Sequence, residues 1–66
     1  MITIRLNGET NSVEPVFISE WLKSNGYSEK KVVVELNGGI VRRQDWDGTR
    51  LKEGDSVEIV GFVGGG

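Results

Sequence analysis

The stretch ITIRLNG, residues 2–8, decides the fold of this 66-residue chain. Its first five residues alternate between apolar and polar side chains, a pattern typical of a half-buried β-strand. Asn7-Gly8 suits the two positive-φ positions of a type I′ turn. We therefore predict a hairpin in which a polar second strand, residues 9–13, returns antiparallel and lies at the edge of a sheet.

The next segment changes from a two-residue period to a helical one. Four residues fall on one face of a helix: Ile18, Trp21, Leu22 and Asn25. This spacing predicts one short amphipathic helix that begins near Phe17. Gly26 suits the left-handed position after the helix, whereas Phe17 offers no side-chain acceptor for the first N–H groups. We therefore expect packing to stabilise the helix start.

A second hairpin is predicted after the helix. VVVEL, residues 32–36, is rich in β-branched residues, and Asn37-Gly38-Gly39 then turns the chain into a short strand over residues 40–43. Residues 44–48, which include Trp46, are interpreted as a turn or a single 3₁₀ turn. We interpret both tryptophans of the chain as core-filling residues.

The last strand is predicted from Ser56 to about Phe62, after a turn at Glu53-Gly54-Asp55 and a loop that Leu51 anchors to the core. Strict alternation sends Val57 and Ile59 inward. The outward positions are Glu58, Val60 and Phe62.

The order of these elements predicts an α+β domain with the β-grasp architecture. A mixed sheet of four or five strands is covered on one face by one helix, and the first and last strands lie parallel at its centre. We assign residues 1–62 to this domain and residues 63–66 to a flexible C-terminal tail.

Composition excludes several classes of function. The chain has no cysteine or histidine, and its net charge is −2 without a basic cluster. We therefore expect no metal, no cofactor and no nucleic-acid partner. The acidic residues 45, 47, 53 and 55 are interpreted as turn and capping residues. Neither a signal peptide nor a membrane span is predicted, so we expect a cytoplasmic location.

The C-terminal stretch GFVGGG, residues 61–66, is the strongest functional feature. Glycines without Cβ atoms can pass through a channel too narrow for other residues, which would bring the terminal carboxylate into a partner's active site. Gly64 and Gly65 would occupy that channel. We expect the partner to dock on the neighbouring apolar residues Val60, Phe62 and Val63. The alternative is that the twist of the sheet buries Phe62 under a neighbouring side chain.

Motifs along the whole chain resemble those of the ThiS family, the ubiquitin-like sulfur carriers of thiamine biosynthesis. They are Asn7-Gly8, VELNGGIVRRQDW at residues 34–46, EGDSVEIV at 53–60 and FVGGG at 62–66. The chain departs from the family where Phe17 replaces a Thr or Ser near the helix start and where Arg42 replaces a Pro.

The resemblance implies that this chain is a protein co-substrate and not itself an enzyme. An E1-like enzyme would adenylate the Gly66 carboxylate with ATP, and sulfur relayed from a cysteine desulfurase would displace AMP. The resulting thiocarboxylate would donate sulfur to thiazole synthase. We expect the free chain to be monomeric and to have no contact with membranes.

Three alternatives share this fold. A molybdopterin-synthase small subunit uses the same thiocarboxylate, a ubiquitin-like modifier would link Gly66 to lysines, and a plain β-grasp interaction module would not use its glycines.

Overall fold

Five strands form one mixed sheet in the computed structural model, which describes residues 1–27 and 31–61. In chain order the strands are β1 (Ile2–Leu6), β2 (Glu9–Val13), β3 (Val32–Leu36), β4 (Gly39–Val41) and β5 (Ser56–Gly61). A helix α1 (Ile18–Ser24) follows β2, and a 3₁₀ helix (Arg43–Gly48) follows β4.

The sheet order is β2-β1-β5-β3-β4, so the last strand lies at the centre. β5 pairs parallel with β1 and antiparallel with β3, and β2 lies at an edge. This arrangement confirms the predicted β-grasp architecture.

Both hairpins turn through an Asn-Gly pair with positive φ at both residues. The φ angles are 49° and 85° at Asn7 and Gly8, and 50° and 88° at Asn37 and Gly38. These values are those of type I′ turns, as predicted for the first hairpin. In the second hairpin the predicted strand bounds are wrong, because the two-residue turn leaves Gly39 free to begin β4, and Arg43 already belongs to the 3₁₀ helix.

The helix packs on the sheet through Ile18 and Leu22, which are buried. Trp21 is half-buried and stacks on Tyr27, with the two ring centroids 6.0 Å apart. The placement of Asn25 on the packing face is wrong. Asn25 is the exposed C-cap, and its side-chain amide donates a hydrogen bond to the Trp21 carbonyl, because the helix ends there and Gly26 takes a φ of 83°.

The start of α1 depends on contacts with a distant loop, as the missing cap predicted. The Phe17 side chain offers no acceptor, but the Glu20 carboxylate accepts a hydrogen bond of 3.2 Å from the Phe17 N–H. The Ile18 N–H donates to the Thr49 carbonyl at 2.8 Å, and the Arg50 guanidinium lies 5.6 Å from the centre of the Phe17 ring. The loop therefore supplies an acceptor for one of the first N–H groups of the helix, although no side chain caps it.

Helix α1 has only about two turns. With seven residues, α1 falls well below the length needed to cross a membrane, and the described part of the chain contains no longer apolar helix.

The core lies between α1 and the inner face of the sheet. Its buried side chains are Ile4, Ile18, Leu22, Val34, Leu51 and Val57. Leu51 is buried, which confirms that it anchors the loop before β5. Both tryptophans pack against this cluster as predicted, and the Trp46 indole N–H donates to the Val41 carbonyl at 3.0 Å.

Asp55 is the buried acidic residue of the described chain, and it closes the turn before β5. One carboxylate oxygen accepts a hydrogen bond of 2.8 Å from the Lys52 N–H, and the other accepts one of 3.0 Å from the Asn37 side-chain amide. Glu53 likewise accepts a hydrogen bond from the Thr3 N–H at 3.0 Å. The interpretation of these two acidic residues as turn residues is confirmed.

The two turn asparagines bind β5 from opposite sides. Asn37 donates its N–H to the Ser56 carbonyl at 2.7 Å and accepts the Ser56 N–H on its side-chain oxygen at 2.8 Å. Asn7 donates its N–H to the Val57 carbonyl at 2.9 Å, and its side-chain oxygen accepts the Ile59 N–H at 2.8 Å. Because β1 ends at Leu6, the Asn7 side chain extends the bonding of β5 beyond the end of its neighbour.

The Asn7 side chain can be tested apart from its backbone conformation. Asn7→Gly keeps the positive φ but removes the acceptor for the Ile59 N–H, so we expect a loss of about 1 kcal/mol in the free energy of unfolding. Asn7→Asp keeps an acceptor in place and should lose less. Urea denaturation of the three proteins measures the difference, and a glycine variant as stable as the parent would contradict this role.

Candidate functional site

The candidate site begins where the central strand ends. β5 is paired with β3 up to Gly61, which lies opposite Val32. The predicted site residues Phe62, Val63, Gly64, Gly65 and Gly66 lie outside the described residues, so the boundary between domain and tail stays a prediction. The structure does define the base from which the C-terminal segment leaves, namely the middle of the sheet and not a loop or an edge.

The two faces of β5 follow the predicted alternation. Val57 is buried and Ile59 packs against the core, whereas Glu58 and Val60 point outward. Val60 is 53% exposed although its strand is central. The sheet face opposite α1 therefore presents an apolar side chain one residue before Gly61.

Strand register places further residues around Val60. Val33 of β3 lies opposite Val60, and Glu35 lies between Glu58 of β5 and Ile40 of β4. We call this surface the outer face, formed by Val33, Glu35, Ile40, Glu58 and Val60. Ile40 is 69% exposed. The outer face is thus a mixed apolar and acidic surface beside the start of the tail.

Sequence reasoning missed Ile40 and Val33 as members of this surface. The signal was present, because a two-residue turn at Asn37-Gly38 pairs Leu36 with Gly39 and therefore puts residue 40 opposite residue 35. The predicted turn has three residues, 37–39, and therefore does not give this register.

Among residues 1–27 and 31–61, nothing requires a glycine at position 61. Its φ is not in the positive range, and a Cβ added there would meet the Val32 Cγ1 at 3.9 Å, an ordinary van der Waals distance. Gly54, by contrast, has a φ of 84° in the turn before β5. A strand glycine without a local structural reason is typical of a position that another backbone approaches closely.

The body of the domain has few of the parts that catalysis uses. Within residues 1–27 and 31–61, no three acidic residues lie close enough together to hold a metal ion. A groove of about 500 Å³ lies between β2 and α1. Short polar side chains, Trp21 and the carboxylates of Glu14 and Glu20 line it, and the chain has no histidine or cysteine to add a nucleophile or a neutral-pH base.

A solved structure shares this fold over nearly the whole chain. The crystal structure of the thiamine biosynthesis protein ThiS from Geobacter metallireducens matches with a TM-score of 0.81 and 36% sequence identity. The match covers 98% of this chain and 100% of that one.

Curated relatives are similar over the same length. A thiazole synthase of Magnetococcus marinus is 39% identical over 64 residues, which is 96% of this chain and 20% of that protein. The chain therefore spans about a fifth of the length of that relative. An uncharacterized protein, ycf40, of Porphyra purpurea is 30% identical over 66 residues, which cover 93% of its length.

A protein-family model gives the same result. The model of the ThiS family matches residues 4–66, which include β1 from Ile4 onward, the other four strands, the helix and the terminal glycines. This chain belongs to the ThiS family, the ubiquitin-like sulfur carriers of thiamine biosynthesis.

Proposed function

We propose that this chain carries sulfur for thiazole formation as a thiocarboxylate on Gly66. The observation that carries this proposal is the position of β5. β5 is paired with β1 at Ser56 and Val57 and with β3 up to Gly61, so the domain supplies an anchored base for a segment that includes three successive glycines. Four extended residues from Val63 reach about 13–14 Å, far enough to enter a deep active site.

Chemistry requires a second protein to act on that end. A free carboxylate has a reference pKa of about 3.3–3.7, so it is ionised at neutral pH and does not react with nucleophiles. An E1-like enzyme adenylates Gly66: a carboxylate oxygen attacks the α-phosphate of ATP and pyrophosphate leaves. A persulfide relayed from a cysteine desulfurase then attacks the carbonyl carbon, and AMP leaves. A partner's thiol attacks the resulting acyl disulfide, which releases the thiocarboxylate on Gly66 and leaves a disulfide on the partner.

Thiazole synthase is the proposed acceptor of the sulfur. Support comes from the thiazole synthase of Magnetococcus marinus, in which a region similar to this chain occupies a fifth of the protein. If sulfur passes directly from the carrier to thiazole synthase, a carrier region within the same protein would favour that transfer.

Docking involves Val60, Phe62 and Val63 in this proposal. Ordering each extended residue costs roughly 1–2 kcal/mol of backbone entropy, and surface contacts beside the tail help to offset that cost. Val60 supports this role because it is exposed next to the tail and packs against no core residue.

The tail is tested by Gly65→Ala and by deletion of residues 65–66. Because the buried core that the structure describes is formed by residues between Ile4 and Val57, we expect thermal unfolding to be unchanged. ATP–pyrophosphate exchange by the adenylating enzyme should fall to background. Gly65→Ala should block activation because the added Cβ would clash with the walls of a channel that admits only glycine. Normal sulfur transfer by the shortened protein would contradict the proposal.

The mass of the C-terminal peptide from cells distinguishes the related functions. Replacement of one terminal oxygen by sulfur on Gly66 supports a carrier, and lysine conjugates support a modifier instead. Thiazole formation assayed against molybdopterin formation then separates the two carriers. A peptide that extends beyond Gly66 would contradict the proposal.

The docking role of Val60 is tested by Val60→Asp, with Thr10→Asp as the matched control. Both positions are exposed on the sheet face opposite α1, but Thr10 belongs to the edge strand β2. We expect Val60→Asp to weaken binding to the adenylating enzyme by about tenfold, on the order of 1.4 kcal/mol, because it removes an apolar contact at the interface.

Thr10→Asp should bind like the parent protein, and chemical denaturation should show similar, small stability losses for both variants. If the Val60 and Thr10 variants bind equally well, Val60 does not belong to the interface.

A further inference from the structure

Two glutamates lie directly opposite one another at the middle of the outer face. Glu35 of β3 pairs with Glu58 of β5 in the antiparallel register, and both side chains point away from the core. Like charges at such cross-strand positions destabilise a sheet. The position is also central, since β5 and β3 are the third and fourth strands of five.

Two arginines of the sheet region form contacts elsewhere. Arg5 of β1 donates a side-chain hydrogen bond of 3.2 Å to the Gly8 carbonyl. Arg42, at the end of β4, lies 3.7 Å from the Asp45 carboxylate. Among the described residues no cation forms an ion pair with Glu35 or Glu58. The two charges therefore face the solvent without compensation from this part of the chain.

Apolar side chains flank the acidic pair, of which Ile40 and Val60 are exposed and Val33 is half-buried. Ile40 lies opposite Glu35 on the far side of β3, and Val33 and Val60 lie two residues along their strands from the glutamates. Neighbouring strands lie about 5 Å apart and residues i and i+2 about 6.5–7 Å apart, so one partner surface covers all five side chains.

We propose that the outer face is a docking surface for the adenylating enzyme, which presents arginine or lysine side chains to Glu35 and Glu58 beside an apolar patch. This inference rests on the proposed function and names the chemistry of the partner surface. Arginine suits the site best, because one planar guanidinium can bridge two carboxylates and still cover apolar neighbours.

The position of the outer face relative to the tail supports the same partner. Val60 lies six residues before Gly66. Fully extended, those residues span about 20 Å, so an enzyme bound to the outer face can hold the chain end in its own active site. The acidic pair would orient the domain on the enzyme and raise the association rate at low ionic strength.

Glu58→Lys tests this surface, with Glu9→Lys as the control of identical charge change. Glu9 is exposed at the start of the edge strand β2, away from the outer face. We expect Glu58→Lys to weaken binding to the adenylating enzyme by about 10–100-fold, because it places a cation opposite the partner's cations. Glu9→Lys should change the affinity by less than about twofold.

A stability measurement separates binding from folding. Because Glu58→Lys replaces a repulsive cross-strand pair with an attractive one, its urea midpoint should equal or exceed that of the parent while its binding falls. The double variant Glu35→Gln/Glu58→Gln should bind about 5–10-fold more weakly and should show a flatter dependence of affinity on salt concentration.

The outcomes of this experiment distinguish the inference from the function on which it rests. If the parent protein is not adenylated, the proposed function fails. If the parent is adenylated but Glu58→Lys binds as tightly as the parent, or no more weakly than Glu9→Lys, the acidic docking surface is overturned and the function stands.

Discussion

The parallel pairing of β1 with β5 is the constraint on which the rest of the structure depends. It spans only Arg5 with Ser56 and Leu6 with Val57, and the Asn7 side chain continues it to Ile59. Through this short contact the first and last strands meet at the sheet centre. The helix must then cross one face to connect the hairpins, and the first half of β5 is bound on both sides while its end is paired with β3.

Much of this fold could be predicted because its local signals agree with its tertiary contacts. Alternation in residues 2–6, the Asn-Gly turns and the helical spacing from Ile18 each indicate one structure, and packing does not override them. Predictions failed where one residue has two possible roles. Asn25 has the spacing of a packing residue, but the helix ends at that residue and its amide acts as a cap.

The candidate site was harder to predict, because its residues meet through strand register and not through sequence. The outward direction of Val60 follows from alternation within one strand. The pairing of Glu35 with Glu58 depends on how β3 aligns with β5, and Ile40 joins them only through the exact length of a turn. Asn7 and Asn37 are turn residues that also form hydrogen bonds with β5. The second role could not be predicted, because it depends on where β5 lies in the sheet.

Successive residues of β5 alternate between packing against the core and lying on the outer face. The inner side chains of β5, Val57 and Ile59, pack against the core, whereas Glu58 and Val60 contribute nothing to that packing. At Gly61, the last residue of β5, neither φ nor the described neighbouring atoms call for glycine, and glycine has a higher entropic cost of folding than other residues. The outer side chains of β5 and Gly61 therefore stabilise the fold less than the inner side chains of the same strand do. A like-charged pair, an exposed valine and an unneeded glycine on the central strand are costs that a binding partner can offset, and they lie together where the chain leaves the domain.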